Sequence, residues 1–323
     1  MLHALALASI LSLSPPLSRR AVGALVGQAG AALTLGPALA KAPTPSYQEQ
    51  PGYVLNTGQA FPTASFGLQV YDDATAEKLT SIALEVGYRN FFASVLAGNQ
   101  RGFARAIKAS GVPREDLFIC GSVLSNSAQG FSSAKALSAR GCAENMAAFG
   151  VGGITYLDMI MLDYPGPDDA ALRGQWEALE EMQAENLTRS LAVSNYNARQ
   201  LDVVLAMKGT KPTVNQLPYG VGFSNYYEPQ GGAASVLKAN RERGVLVQAW
   251  SPLRKALSGK RKAVCTEIGE KYGKSAAQVG LRYIADTGAC FTTQSKSRAH
   301  FEEDLQLFDF QLNQEEIARL AAL

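Results

Sequence analysis

The chain has 323 residues, 47% of them hydrophobic, enough to bury one large core or two small ones. Its formal charge of +2 is borrowed from the N-terminus: residues 1–42 hold Arg19, Arg20 and Lys41 and no acid, and without these three the 30 basic residues become 27 against 28 acidic, or −1. A near-neutral body carries no electrostatic footprint for nucleic acid or an anionic membrane, so neither is expected as a partner.

In chain order, the first feature is a leader over 1–42. Arg19-Arg20 precede twenty uncharged residues, 21–40, and then Ala40-Lys41-Ala42. A basic region, an apolar stretch and a small-residue cleavage site are the parts of an export signal, and paired arginines point to the twin-arginine type. A membrane anchor competes with this reading, because twenty apolar residues just span a bilayer. Gly23, Gly27, Gly30, Gly36 and Pro37 break such a helix and favour cleavage, so that membrane association is expected to be peripheral rather than integral. The acid-free stretch before the arginines suits an organelle-targeting piece ahead of a second signal, as in proteins sent to the thylakoid lumen of a plastid. Export to a bacterial periplasm is the alternative. Residues 43–54 read as a Pro-rich linker.

From residue 55 onward, β-rich runs alternate with amphipathic helical segments, the pattern of parallel β/α units. Strands are expected over 65–70, 88–94, 117–123, 156–162, 189–193, 213–216, 245–249 and 289–293. Helices are expected over 75–86, 99–110, 132–149, 168–186, 198–208, 231–243, 262–272, 275–287 and 298–307. A closing helix over 313–323 would be capped by Asn313, with Glu315 and Glu316 in its first turn. Eight such units make a (β/α)8 barrel of ordinary size over 55–323. No Gly-x-Gly-x-x-Gly follows a strand, which leaves a dinucleotide-binding doubly wound sheet without support.

Reactive side chains are scarce. Of two histidines, His3 lies in the leader, which leaves His300 and argues against a histidine-built metal site. Cys120, Cys142, Cys265 and Cys290 have no metal-like spacing and are read as buried thiols, with a disulfide as the alternative in an oxidising compartment. The strand-end stretch 91–97, where a β/α barrel builds its chemistry, offers nothing stronger than Ser94. Phe91, Phe92, Val95 and Leu96 would line the mouth. Asp163 is a charged residue at a strand end, expected to cap or bond the Pro-Gly-Pro loop after it, with a role as base or ligand contact as the alternative. Asp158 is read as structural. The loop 219–227, with Tyr226 and Tyr227, is a candidate contact surface.

The blocks ALEVGYR, GVPREDLFI, YLDMIML followed by YPGP, LAVSNYN, PTVNQLPY, GVLVQAWSPL and DLQLFDFQL occur in the order found in aldo-keto reductases, and the resemblance covers about 55–323. It implies a (β/α)8 barrel that reduces carbonyls with NADPH. It places a proton-donating tyrosine, its aspartate and lysine partners and a substrate-orienting histidine at four positions. Those positions hold Ala97, Phe92, Ser122 and Asp163, and no tyrosine lies between Arg89 and Thr155. Ser194, Asn195 and Gln216 match positions that hold the nicotinamide amide, and Trp250 the ring stacked on it. At the adenosine end, Gln294, Ser295 and His300 stand for a Lys-Ser pair and an Arg that grip the 2′-phosphate; Glu303 keeps an acidic position, and Asp304 replaces the usual Asn. The expectation is a degenerate member with no catalytic residues and no bound cofactor. NADP(H) would occupy Ser194, Asn195, Gln216, Trp250 and Ser295 only if that vestigial site still works. As a non-catalytic subunit the chain would belong to a larger protein complex. The alternative is a divergent NADP(H)-dependent oxidoreductase with another proton donor and an unknown small-molecule substrate.

Overall fold

The structure, a computed structural model, describes residues 44–68 and 71–323; the expected leader lies outside them. A short hairpin, β1 (Gly52–Val54) and β2 (Ala60–Pro62), comes first. Then follow β3 (Ala64–Gly67), α1 (Asp73–Val86), β4 (Asn90–Ala93), α2 (Gln100–Ser110), β5 (Phe118–Val123), α3 (Phe131–Gly150), β6 (Leu157–Leu162) and α4 (Asp169–Ala184). The second half runs β7 (Thr188–Ser194), α5 (Ala198–Leu205), β8 (Val214–Pro218), α6 (Ala233–Glu242), β9 (Leu246–Trp250), α7 (Gly259–Tyr272), α8 (Ala276–Asp286), β10 (Cys290–Thr293), α9 (Arg298–Leu305) and α10 (Gln314–Ala321). Strands β3 to β10 are parallel neighbours in sequence order, and β10 closes on β3 through Phe291 opposite Ala64 and Thr293 opposite Phe66. This is the expected eight-stranded barrel.

Local chemistry sets the element ends. Asp72 accepts from the Thr75 amide and starts α1; Gly87 stops it at φ 126°, a value side chains rarely adopt. The Asn313–Glu316 capping box starts α10. Helices pack close where side chains are missing: a Cβ on Gly102 of α2 would stand 2.1 Å from the Asp73 carbonyl oxygen.

Strand residues alternate between two cores. Phe66, Phe91, Ile119, Ile160, Leu191 and Val247 point outward to the helices, whereas Phe92, Cys120, Met159, Met161, Ala192 and Cys290 fill the barrel interior. Phe91 therefore does not line the mouth, because it is one residue out of phase with Phe92. Asp158 is fully buried; it accepts from Arg114 Nη2 at 2.6 Å and from the Ile119 amide at 3.0 Å, as a structural ion pair.

The linker expected over 43–54 is corrected: from Thr44 on, the chain belongs to the folded unit. Tyr47 is buried, and its ring meets Phe118 edge-on at 5.6 Å; Phe61 of β2 meets the same ring at 5.0 Å. Aromatic burial holds a Pro- and Gly-rich segment that has little propensity of its own. Phe118 opens β5, so the hairpin covers the N-terminal end of the barrel, opposite the site below.

Candidate functional site at the barrel mouth

The four positions that the resemblance assigns to the proton relay do converge at the C-terminal ends of β4, β5 and β6. Phe92 and Ser122 lie on β4 and β5, Ala97 in the turn after β4, and Asp163 directly after β6. What they build is a clasp. Ser122 Oγ donates to Asp163 Oδ2 at 2.8 Å, and Ser94 Oγ donates to the same oxygen at 3.0 Å. Each hydroxyl also accepts a backbone amide: Val95 N–H on Ser122 at 3.0 Å and Leu96 N–H on Ser94 at 3.1 Å. Ser122 is fully buried and Asp163 is 5% exposed. One carboxylate thus ties together the chain leaving three adjacent strands.

The expectation that Asp163 bonds the Pro-Gly-Pro loop is corrected. Gln175 of α4 does that, accepting from the Gly166 amide at 2.8 Å and donating to the Tyr164 carbonyl at 3.4 Å. Asp163 forms no ion pair among the described residues. Burial pushes its carboxyl above the usual carboxylate range, and the Ser122 and Ser94 hydroxyls pull it part of the way back. Ser94 is the contributor that the sequence reading did not assign. It was visible only as the polar residue of an apolar run, since its partners lie 28 and 69 positions away.

The nicotinamide positions also come together, and they satisfy one another. Asn195, at φ 64°, donates to Ser194 Oγ at 2.9 Å and to the Asp163 carbonyl at 3.1 Å, and its Oδ1 accepts the Trp250 indole N–H at 3.1 Å. Ser194 Oγ donates to the Gln216 carbonyl at 3.1 Å, and Gln216 Nε2 donates to Gln248 at 2.8 Å.

At the adenosine end, Ser295 Oγ lies 3.0 Å from His300 Nδ1 and accepts the Ser297 amide at 3.0 Å. Arg298, which could have moved a cation toward this end, is engaged with Glu85 at 2.6 Å and Glu302 at 3.1 Å. Asp304 is buried beneath, with Tyr88 OH donating to it at 3.4 Å, and burial pushes its carboxyl up to about 6. The two positions that the resemblance gives to cations gripping a 2′-phosphate hold an amide and an imidazole, so those two charge-assisted bonds are missing; Lys296, between them, is exposed and lies over the Tyr71 ring at 5.2 Å.

Elsewhere, the four cysteines are buried and unbonded, and no group of three or more His, Cys, Asp or Glu among the described residues could hold a metal ion. No helix among the described residues is long and apolar enough to cross a membrane. Tyr226 stands out from the 219–227 loop at 57% exposure while Tyr227 is buried.

Comparison with known proteins agrees with this architecture. The model of the Aldo/keto reductase family matches residues 60–323. An aldo-keto reductase of Mycolicibacterium smegmatis is 29% identical over 84% of this chain and 90% of its own. A glyoxal reductase of Bacillus subtilis is 30% identical over 80% of this chain and 88% of its own. Among solved structures, an aldo/keto reductase from Brucella melitensis superposes with a TM-score of 0.73 at 27% identity, covering 84% of this chain and 99% of that one. A Bombyx mori aldo-keto reductase in complex with NADP has the same fold, with a TM-score of 0.72 at 24% identity, over 84% of this chain and 92% of that one. With the barrel, its strand order and a family match over residues 60–323, the chain belongs to the aldo/keto reductase family.

Proposed function

We propose that this barrel has left the carbonyl-reducing chemistry of its family and serves as a non-catalytic binding or scaffold subunit of a larger assembly, in an exported compartment such as the thylakoid lumen. The observation that carries the reading is the clasp. Where the family resemblance places a phenol, an amine and an imidazole, two saturated serine hydroxyls and a carboxylate hold three loops together. A positioned proton donor contributes on the order of 10²–10⁴ in rate, and the members of such a unit fail together rather than additively. The adenosine end supports the reading as well, since the two positions that the resemblance gives to phosphate-gripping cations hold Gln294 and His300. The compartment rests on the leader's paired arginines and small-residue cleavage site alone.

One observation favours a second reading, a divergent NADP(H)-dependent oxidoreductase: Ser194, Asn195, Gln216 and Trp250 still converge on the mouth. A single experiment separates the two. The purified chain is titrated with NADPH and NADH by calorimetry and then given a panel of aldehydes while nucleotide absorbance is followed. The expected result is no consumption above the enzyme-free blank, with binding weaker than millimolar. Micromolar binding with turnover would establish the second reading instead. In the native source, the scaffold reading expects the chain to migrate with a large assembly and to begin near Pro43. A free chain still carrying Met1 would exclude both the export and the assembly.

A further inference from the structure

The mouth of the barrel carries an unusual surface. Eight large hydrophobic side chains are exposed among the described residues, and six of them stand on the face where the strands end: Leu96, Leu124, Phe131, Tyr164, Tyr226 and Leu257. Only Val54 and Val151 lie elsewhere. Four of the six, Leu96, Leu124, Phe131 and Tyr164, follow the adjacent strands β4, β5 and β6. The loops 94–99 and 124–130 there contain no charged residue, and the charge in 163–167 is Asp163, which is buried in the clasp.

Across the mouth, the segments after β9 and β10 have the opposite character. Arg254, Lys255, Lys260, Lys262 and Lys296 stand there, and none forms an ion pair among the described residues. Lys255 lies over the Phe223 ring at 4.7 Å and Lys296 over the Tyr71 ring at 5.2 Å, so these two cations rest on aromatic faces rather than on carboxylates. Of the acids on this face, Asp72 and Asp168 cap helices, Asp73 pairs with Arg105 and Asp169 with Arg199, which leaves Glu228, exposed on the turn that bears Tyr226, against five cations.

We infer that this face docks a segment of a partner polypeptide that is apolar at one end and acidic at the other, laid from the Leu96–Tyr164 rim to the Arg254–Lys296 rim. The inference rests on the non-catalytic reading and names the chemistry of the partner. Isolated exposed leucines are ordinary, but four exposed apolar side chains on the loops of three adjacent strands mark a contact surface. The clasp gives that rim a fixed shape, because Asp163, Ser94 and Ser122 anchor the turns that bear Leu96, Leu124 and Tyr164. A rigid apolar patch beside uncompensated cations selects for acidic flanks and against basic ones, through both steering and like-charge exclusion.

The test is to pan a random peptide library displayed on phage against the full chain and to measure the enriched peptides by fluorescence anisotropy. Enrichment of apolar runs flanked by Asp or Glu is expected, with binding weakened at least tenfold by Leu96→Ser with Tyr164→Ser, and separately by Arg254→Glu with Lys296→Glu. Melting temperature should stay unchanged, since all four side chains are exposed. Raising salt from 0.05 to 0.5 M, chosen to shrink the screening length, should weaken the parent and the apolar-rim variant more than the charge-reversed one. No enrichment, enrichment without acidic bias, or binding indifferent to both pairs of substitutions would overturn the inference. Self-association of the chain abolished by the same substitutions, without peptide binding, would overturn it too and make the face a contact between copies. NADPH turnover in parallel samples would remove the non-catalytic reading and leave the peptide result to be judged on its own.

Discussion

Asp304 shows how a single side chain can record a site's history. It occupies the position of the family's usual Asn, is 5% exposed, and accepts from Tyr88 OH; burial raises its carboxyl from 3.8 to about 6, the Thr293 and Tyr88 hydrogen bonds and the nearby His300 partly opposing the shift and Glu303 adding to it. An acid whose pKa is higher folded than unfolded holds an extra proton in the folded state between those two values. Stability therefore falls as pH rises from about 4 to about 6 and stays lower above that window. The shift corresponds to about 3 kcal/mol as an upper figure. Asp304→Asn removes the ionisation while keeping an oxygen for Tyr88. The variant should melt several degrees higher than the parent at pH 7.5 and within a degree or so of it at pH 4. Equal shifts at the two pH values would show that charge is not the cause. The substitution itself was readable from the motif, but the burial that makes it costly was not. The same holds for Ser94, whose role depends on a carboxylate 69 positions away that only barrel closure brings within 3.0 Å.

At the scale of elements, the N-terminal hairpin stands apart from the β/α repeat. Its strands have three residues each, too short for an alternating pattern to register, and they sit among prolines and glycines that mimic a linker. The bend Asn56-Thr57-Gly58 between them was the available signal, with Gly58 at φ 84°. The long helices and barrel strands were legible to within a few residues because each carries its own cap or apolar run, and because a strand buried on both faces, such as β6, reads as LDMIML. The hairpin contributes packing that the repeat does not supply. Phe61 is 2% exposed against Phe118 and anchors β2 in the interior cluster of the barrel. Phe61→Ala should cost about 3–5 kcal/mol in chemical denaturation, the usual range for removing a buried phenylalanine. A loss below 1 kcal/mol would mean that the hairpin is a loose cover and that β5 closes without it.

For the whole molecule, the proposed loss of the family's chemistry would have occurred at one place or at two, and the two cases can be told apart. The relay lies at the ends of β4, β5 and β6, and the adenosine positions lie after β10, across the mouth. Restoring the relay with Phe92→Asp, Ala97→Tyr, Ser122→Lys and Asp163→His dismantles the clasp and puts a lysine at a fully buried position, where it needs the new aspartate as its partner. Even where that variant folds, it is expected to leave NADPH unconsumed with every aldehyde, because Gln294 and His300 still stand where the resemblance places the two cations for the 2′-phosphate. Adding Gln294→Lys and His300→Arg puts two cations on exposed positions, at little structural cost. Each should tighten NADPH about tenfold or more through charge-assisted hydrogen bonds, and NADH, which lacks that phosphate, should gain far less. Calorimetry with both nucleotides separates the contributions. If the six-residue variant binds NADPH selectively, the relay and the adenosine positions act independently and the barrel between them is a competent frame. If the four-residue variant alone turns over, the adenosine end holds NADPH as it stands, with Gln294 and His300 in place of the two cations. If neither binds, the self-satisfied network of Ser194, Asn195 and Trp250 is what closes the site, and its hydrogen bonds must be broken before any nucleotide can enter.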